Sequence, residues 1–270
     1  MQSEAELRQH FEIERELAAR LREAPSKSER RRLYGEVYRQ RSELIPSHPL
    51  VQQAADPGTR AGVVDPQVNL LRPFVDEKTR FCEVGAGDGA VAKALAPLVE
   101  TAVALDVTDA LALPDEPSAG FEFRVFDGFD LGLPPGSIDL VYSNDVVEHL
   151  HPDDMLDHTR GVLSVLRRGG VFVCVTPNRL SGPHDVSRHF AESPQGFHLR
   201  EYSTTELAST LRQSGFSRVK VFLTVGGRRL SPLLPAGAMR PLEALIGALP
   251  RRLRRRVARG LAAVKVAAVK

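Results

Sequence analysis

The sequence predicts an α/β chain built on a doubly wound, mostly parallel sheet, with helices before it and a basic tail after it. Three observations predict this. Thr79 to Val91 reads as a short apolar strand, a turn with Gly85, Gly87 and Gly89, and the first residues of a helix. That is the opening of a nucleotide-binding βαβ unit. Beyond it, short apolar runs alternate with helical patterns. One run, Val171-Phe172-Val173-Cys174-Val175, is apolar throughout, as a strand covered on both faces would be.

The elements follow in order. Ser3 to Glu23 carries Leu7, Phe11, Ile13, Leu17 and Leu21 at near-helical spacing, with Glu and Arg between them. A Pro-Ser-Lys-Ser break at 25–28 starts a second helix with Leu33, Tyr34, Val37 and Tyr38. The charges read most simply as a solvated face; a cover over the active site or a dimer contact is the functional alternative. Pro46 to Pro66 reads as irregular, punctuated by Pro and Gly. Val68 to Phe74 reads as a short helix. Strands are expected at 81–84, 102–105, 121–126, 138–142, 171–175 and 217–223. Helices are expected at 91–98, near Val146, at 155–166 with a stop at Gly169-Gly170, and at 205–213. This divides the chain into a helical extension (1–66), a sheet domain (67–225) with a lid-like insertion (177–202), and a basic helical tail (226–270). A final antiparallel strand is not evident beyond Val225-Gly226-Gly227.

Composition excludes several classes. Hydrophobic residues make up 42% and charged residues 26% of 270, enough for a core and against global disorder. The net charge is +2, so the chain is not a polycation. Cys82 and Cys174 both fall in expected core strands, which fits buried thiols in a reducing cytoplasm and no disulfide or CxxC framework. No secretory leader is visible at the start, and no apolar run is long enough to span a bilayer.

The glycine turn formally satisfies a dinucleotide fingerprint, Gly85-x-Gly87-x-x-Ala90. Three details oppose that ligand. Glu83 precedes the first glycine by two residues, where a carboxylate can receive an ammonium. Asp88 lies inside the turn, where it would repel a pyrophosphate. Gly89 completes a Glu-x-Gly-x-Gly-x-Gly spacing. With these residues the sequence resembles the class I S-adenosylmethionine-dependent methyltransferases, and the resemblance implies their Rossmann-like sheet and their cofactor. The segments Ser137 to Val141, Asn144 to Leu150, Leu166 to Gly170 and Thr176 to Arg179 extend it, resembling the small-molecule methyltransferases of the ubiquinone-biosynthesis type. Asp106, at the end of the second strand, suits the ribose hydroxyls. Asp127-Gly128 falls at the family's adenine-binding position, with Asp130 an alternative acid. The cofactor-binding set this implies is Glu83, Gly85, Ala86, Gly87, Gly89, Asp106, Val107, Asp127, Gly128 and Asn144.

Methyl transfer to an alcohol requires a positioned nucleophile and a place for its proton. If Asp145 opens a helical turn, Glu148 and His149 follow at i+3 and i+4 on the same face. Three readings stand. The ubiquinone-type resemblance points to a hard cation such as Mg²⁺ held by Asp145, Glu148 and His149, although that family has Glu at the place of Asp145. Alternatively His149 is the general base, oriented by Glu148, and these two are the catalytic pair. A third reading gives His149 a packing role only.

The insertion supplies His184, Arg188, His189 and His198 as substrate candidates, and it looks like the matching region of bacterial methyltransferases acting on sugars, glycans and glycolipids. The expected function is therefore O-methylation of a small-molecule or carbohydrate-like acceptor. N- or C-methylation, or a non-catalytic methyltransferase-like partner protein, are the rivals. Nucleic acid is not an expected partner. The arginines between Arg251 and Arg259, with Leu253, Val257 and Leu261, suggest a basic amphipathic helix and peripheral contact of 251–270 with an anionic membrane.

Overall fold

The computed structural model describes residues 3–113, 119–225 and 228–270. The domain boundary placed at 226 from the sequence lies outside these residues. Two long helices come first, α1 (Glu4–Glu23) and α2 (Lys27–Leu44). Ser3 and Glu6 form a capping box on α1, which satisfies backbone donors at its start.

The stretch from Pro46 to Pro66 is helical, against expectation. It contains α3 (Pro49–Ala55) and most of α4 (Pro57–Leu71). Its prolines 49 and 57 occupy first helical positions, where a missing N–H costs nothing. Asp56 caps α4 through the Thr59 amide at 2.9 Å. The signals read as loop punctuation are helix starts.

The sheet contains β1 (Arg80–Val84), β2 (Thr101–Asp106), β3 (Phe121–Val125), β4 (Ile138–Asn144), β5 (Leu166–Pro177), β6 (Arg218–Val225), β7 (Arg228–Pro235) and β8 (Ala263–Val269). Helices α5 (Ala90–Leu95), α6 (Met155–Val165) and α7 (Thr204–Gln213) connect its middle, and α8 (Arg240–Gly247) and α9 (Arg251–Val257) precede β8. The strand order is β3-β2-β1-β4-β5-β8-β6-β7. β1 to β5 pair in parallel, and β8 runs antiparallel to both β5 and β6. No described helix is long and apolar enough to cross a membrane.

Two findings correct the sequence reading. The segment expected to end as a helical tail inserts residues 263–269 between β5 and β6, supplying the final antiparallel strand. Val264, Val266, Ala267 and Ala268 bury on the sheet. The glycine pair does not stop α6 either. The helix ends at Val165, and Gly169-Gly170 lie inside β5, beside a register shift on β4 between Ile138 and Leu140.

Strand alternation divides the core in two. Cys82, Val103, Val141 and Phe172 join Leu17, Leu33, Val162 and Leu207 on one face. Phe81, Ala102, Leu140, Tyr142 and Val173 join Leu71, Val91 and Leu95 on the other. Glu83 shares its side of β1 with Phe81, so its carboxylate emerges towards α5.

Because β8 pairs with two strands, a chain ending at Ala262 should lose its cooperative unfolding transition or aggregate through the exposed edges. Thermal unfolding followed by near-ultraviolet circular dichroism checks this. An unchanged cooperative transition would show that β8 is dispensable.

Candidate functional site

The parallel strands β1, β2 and β4 end beside one cavity of about 240 Å³. Its floor is the glycine turn. Gly85 and Gly89 sit at φ 70° and 75°. A Cβ on Gly85 would lie 2.3 Å from Val146 Cγ2, so this position admits no side chain. Gly87, at φ 59°, differs, because a Cβ there would meet open space.

Two acids at strand ends hold the turn. The Asp106 carboxylate accepts from the Gly87 amide at 2.7 Å and the Thr108 amide at 3.2 Å. Glu83 accepts from the Ala92 amide at 2.9 Å, one of the unpaired donors at the start of α5. Glu83 is buried, and its carboxyl is pushed up to about 8, chiefly by desolvation, with Asp88 and Asp106 adding repulsion. Asp106 is raised for the same leading reason. A site that keeps a carboxylate this far from water favours a cation against it.

Asp88 is already partnered where it lines the cavity. It accepts from the Ala90 amide at 3.0 Å and pairs with Arg60 Nε at 3.1 Å. Arg60 belongs to α4. The repulsion of a pyrophosphate by Asp88 is therefore weaker than the sequence alone implied, and the case for a cationic ligand rests on Glu83.

The N-terminal helices roof the cavity. Tyr34, Tyr38 and Arg41 come from α2, Leu50 and Gln53 from α3, and Val63, Val64 and Gln67 from α4. Arg41 is 6% exposed and lies over the Tyr38 and Phe197 rings at 4.9 and 5.5 Å. Its Nε has no hydrogen-bond partner among the described residues. The sequence reading missed Arg41, Tyr38 and the α4 residues.

The other end is formed by Asn144, Asp145, Val146 and His149. Asp145 has φ 54° and is the one non-glycine residue in that region among those described. Val147–His149 is a 3-10 turn, so the expected i, i+3, i+4 face does not form. Glu148 turns inward. It is fully buried, its Oε2 accepts from Thr176 Oγ1 at 2.8 Å, and its Oε1 lacks a partner among the described residues. Desolvation, then Asp145, pushes it up to about 8. His149 faces the cavity and donates from Nδ1 to the Phe197 carbonyl at 2.9 Å. Glu148 does not orient it. Nε2 is thereby left with its lone pair. Burial, then the charge of His198, holds His149 down at about 3, so it stays neutral.

His198 lies 5.0 Å from His149, ring to ring. Burial opposes its charge, but its 2.8 Å bond to Glu201 and the charges of Glu148 and Asp185 raise it to about 9. The close group of potential ligands is Glu148, His149 and His198, without Asp145. A buried imidazolium bound to Glu201, beside one free carboxylate oxygen, does not fit Mg²⁺, which demands near-octahedral oxygen ligation.

The remaining predicted residues are dispersed. Ala86, Val107 and Gly128 line the cavity. Asp127 does not; it caps the Phe129 and Asp130 amides and pairs with Arg31. His158, from α6, lines the cavity beside Gly128. Arg188 and His189 are exposed and bond to each other, and His184 is held by Ser181 and Asn178. The insertion reaches the cavity region through Phe197 and His198, away from its exposed end.

Comparison with known proteins bears on the fold and on the central domain. Residues 82–174 match the methyltransferase-domain family. A Mycolicibacterium smegmatis protein assigned as an S-adenosylmethionine-dependent methyltransferase is 33% identical over 135 residues, 50% of each chain. The chain thus spans about half the length of the curated relatives it matches. Among solved structures, a chain of the complex between the Haloferax volcanii Trm112 methyltransferase activator and its methyltransferase aligns with a TM-score of 0.58 and 19% identity, covering 82% of this chain and 97% of that one. An S-adenosylmethionine-dependent methyltransferase from Mesorhizobium loti aligns with a TM-score of 0.53 and 22% identity, covering 76% and 96%. At these identities the structures speak to the fold. Residues 82–174 thus match a methyltransferase domain, and about half of the chain is similar to proteins named as S-adenosylmethionine-dependent methyltransferases.

The buried groups predict how the free protein responds to pH. Above pH 6.5, the native state holds protons on Glu83 and His198 that the unfolded chain has released. Stability should therefore fall as pH rises from 6.5 to 9. Glu83→Gln should flatten this slope and raise Tm at pH 8 by about 2–4 °C. Calorimetric melts across that range check both; a slope equal to that of the unaltered protein would remove Glu83 from the account.

Proposed function

We propose that the protein transfers the methyl group of S-adenosylmethionine to a hydroxyl of a small-molecule or carbohydrate-like acceptor, glycolipids included. The observation that carries this is the single cavity with Glu83, Asp106 and open space at Gly87 at one end and the neutral His149 imidazole at the other. The methionine end of the cofactor is a zwitterion. Glu83 suits its ammonium, and Arg41, a buried cation lining the same cavity, suits its carboxylate. Asp106 suits the ribose hydroxyls.

Bound there, the cofactor supplies a methyl on a positively charged sulfur that leaves as a neutral thioether. The chain's own part is to orient the acceptor and hold its proton. The Phe197 carbonyl fixes the tautomer of His149, so Nε2 faces the acceptor as a hydrogen-bond acceptor and takes the hydroxyl proton. With its basicity held low, His149 acts mainly by positioning, which favours an acceptor oxygen that loses its proton late. Tyr38, which lines the cavity, offers apolar ring surface to a sugar or aromatic acceptor.

The same reading gives a cytoplasmic protein with peripheral contact at an anionic membrane surface through its basic C-terminal segment. The chain could instead methylate nitrogen or carbon, or serve as a partner protein without turnover. Labelled S-adenosylmethionine incubated with a fractionated cell extract separates these by identifying the labelled product. Label on an oxygen is expected; label on nitrogen or carbon, or none, contradicts the reading.

His149→Ala should lower kcat by about 10²-fold, at the low end of general acid–base effects, while binding of the demethylated cofactor changes less than about twofold. Turnover should be indifferent to a chelator. Loss of cofactor binding in this variant, or an unchanged kcat, would overturn the role given to Nε2.

A further inference from the structure

We infer that the outer face of α8 and α9 is a docking surface for an anionic lipid bilayer. This deepens the peripheral-contact part of the proposed function and is independent of methyl transfer. It also redraws the contact segment, because 263–269 lies in the sheet.

Residues 236–270 contain nine basic residues and one acid, Glu243. That acid is turned inward. Glu243 is buried and accepts from the Thr204 and Thr205 amides at 2.7 and 3.0 Å and from Thr205 Oγ1 at 2.5 Å. It is consumed in capping α7. Within the segment no carboxylate is left at the surface to neutralise the exposed Arg240, Arg252, Arg256 and Arg259.

Large apolar side chains stand among these cations. Leu242, Leu245, Leu253 and Val257 are 42%, 67%, 48% and 48% exposed, half of the eight large hydrophobic residues so exposed in the described chain. The opposite side of the two helices is anchored. Ile246 and Ala258 pack on Leu180, and Arg251 pairs with Glu192 and donates to its carbonyl at 3.0 Å. The helices thus present leucines and arginines outward from a fixed base.

That combination selects the partner. Arginine alone would suit any polyanion, but exposed leucine and valine gain nothing from a phosphate backbone. The segment has no aromatic residue on which a base could stack. An anionic bilayer satisfies both: the cations meet lipid phosphates while the apolar side chains enter the acyl boundary. The anchoring loop also carries Phe197, whose carbonyl holds His149, so the docking face and the wall of the catalytic end share one support.

The test is co-sedimentation of the full chain with vesicles of phosphatidylcholine alone and of phosphatidylcholine mixed with phosphatidylglycerol. Binding only to the mixed vesicles, weakened by salt, is expected. Arg252→Glu with Arg256→Glu, and separately Leu245→Glu with Leu253→Glu, should each reduce partitioning by about tenfold or more. Binding of the demethylated cofactor should stay unchanged in both, which shows that the fold survives and keeps this result separate from failure of the methyltransferase reading. Equal binding to both lipids, no vesicle binding, or insensitivity to either pair overturns the proposal. So does a preference for duplex nucleic acid, or a dimer formed through this face that excludes vesicles.

Discussion

A carboxylate at the end of one strand holds the glycine turn at the end of its neighbour. The 2.7 Å bond from the Gly87 amide to Asp106 fixes the turn, and Glu83 ties the same turn to the start of α5 through Ala92. Glu83 is buried, and Asp106 is held in the cavity wall, where Arg41 is the cation that acts on it. The fold can keep them there because β1 and β2 are parallel neighbours whose carboxyl ends coincide. In the proposed reading, their cost in the free protein is the electrostatic cause of affinity for a ligand bearing an ammonium and ribose hydroxyls.

The other half of the site follows from a second local constraint. Asp145 takes a left-handed backbone conformation, which ends β4 abruptly and turns Glu148 and His149 in different directions. Glu148 goes into the core against Thr176, and His149 faces the cavity on the Phe197 carbonyl. Behind them His198 carries the buried positive charge, balanced by Glu201, Glu148 and Asp185. The residues that come together are Glu148, His149 and His198 instead of the expected Asp145, Glu148 and His149, and burial, then the charge of His198, keeps His149 neutral.

What the sequence showed and what it hid divide along one physical line. Glu83, the glycines and Asp106 were readable because each acts within the strand or turn that carries it, where spacing and residue type decide geometry. The parallel strands were readable for the same reason. Arg41 and Tyr38 were not, nor was Arg60 as the partner of Asp88, because they arrive only through packing of α2 and α4 over the sheet. β8 was hidden because its Ala-Val-Lys composition suits a helix as well as a strand, and only pairing with β5 and β6 decides. The directions of Glu148 and His149 depended on the unusual φ at Asp145, which an aspartate tolerates but does not announce. The prolines at 49 and 57 show the converse: the correct helix-start signal was present but was read as loop.

The central claim is that Glu83 is a buried acid which ionises to receive the ammonium of S-adenosylmethionine. The most direct test is titration calorimetry with the demethylated cofactor at pH 7 in two buffers of different ionisation enthalpy. The account predicts that binding releases close to one proton, so the apparent enthalpy differs between buffers, and that Glu83→Gln abolishes the difference and weakens binding. Binding with no proton release, or release that persists in Glu83→Gln, would contradict it.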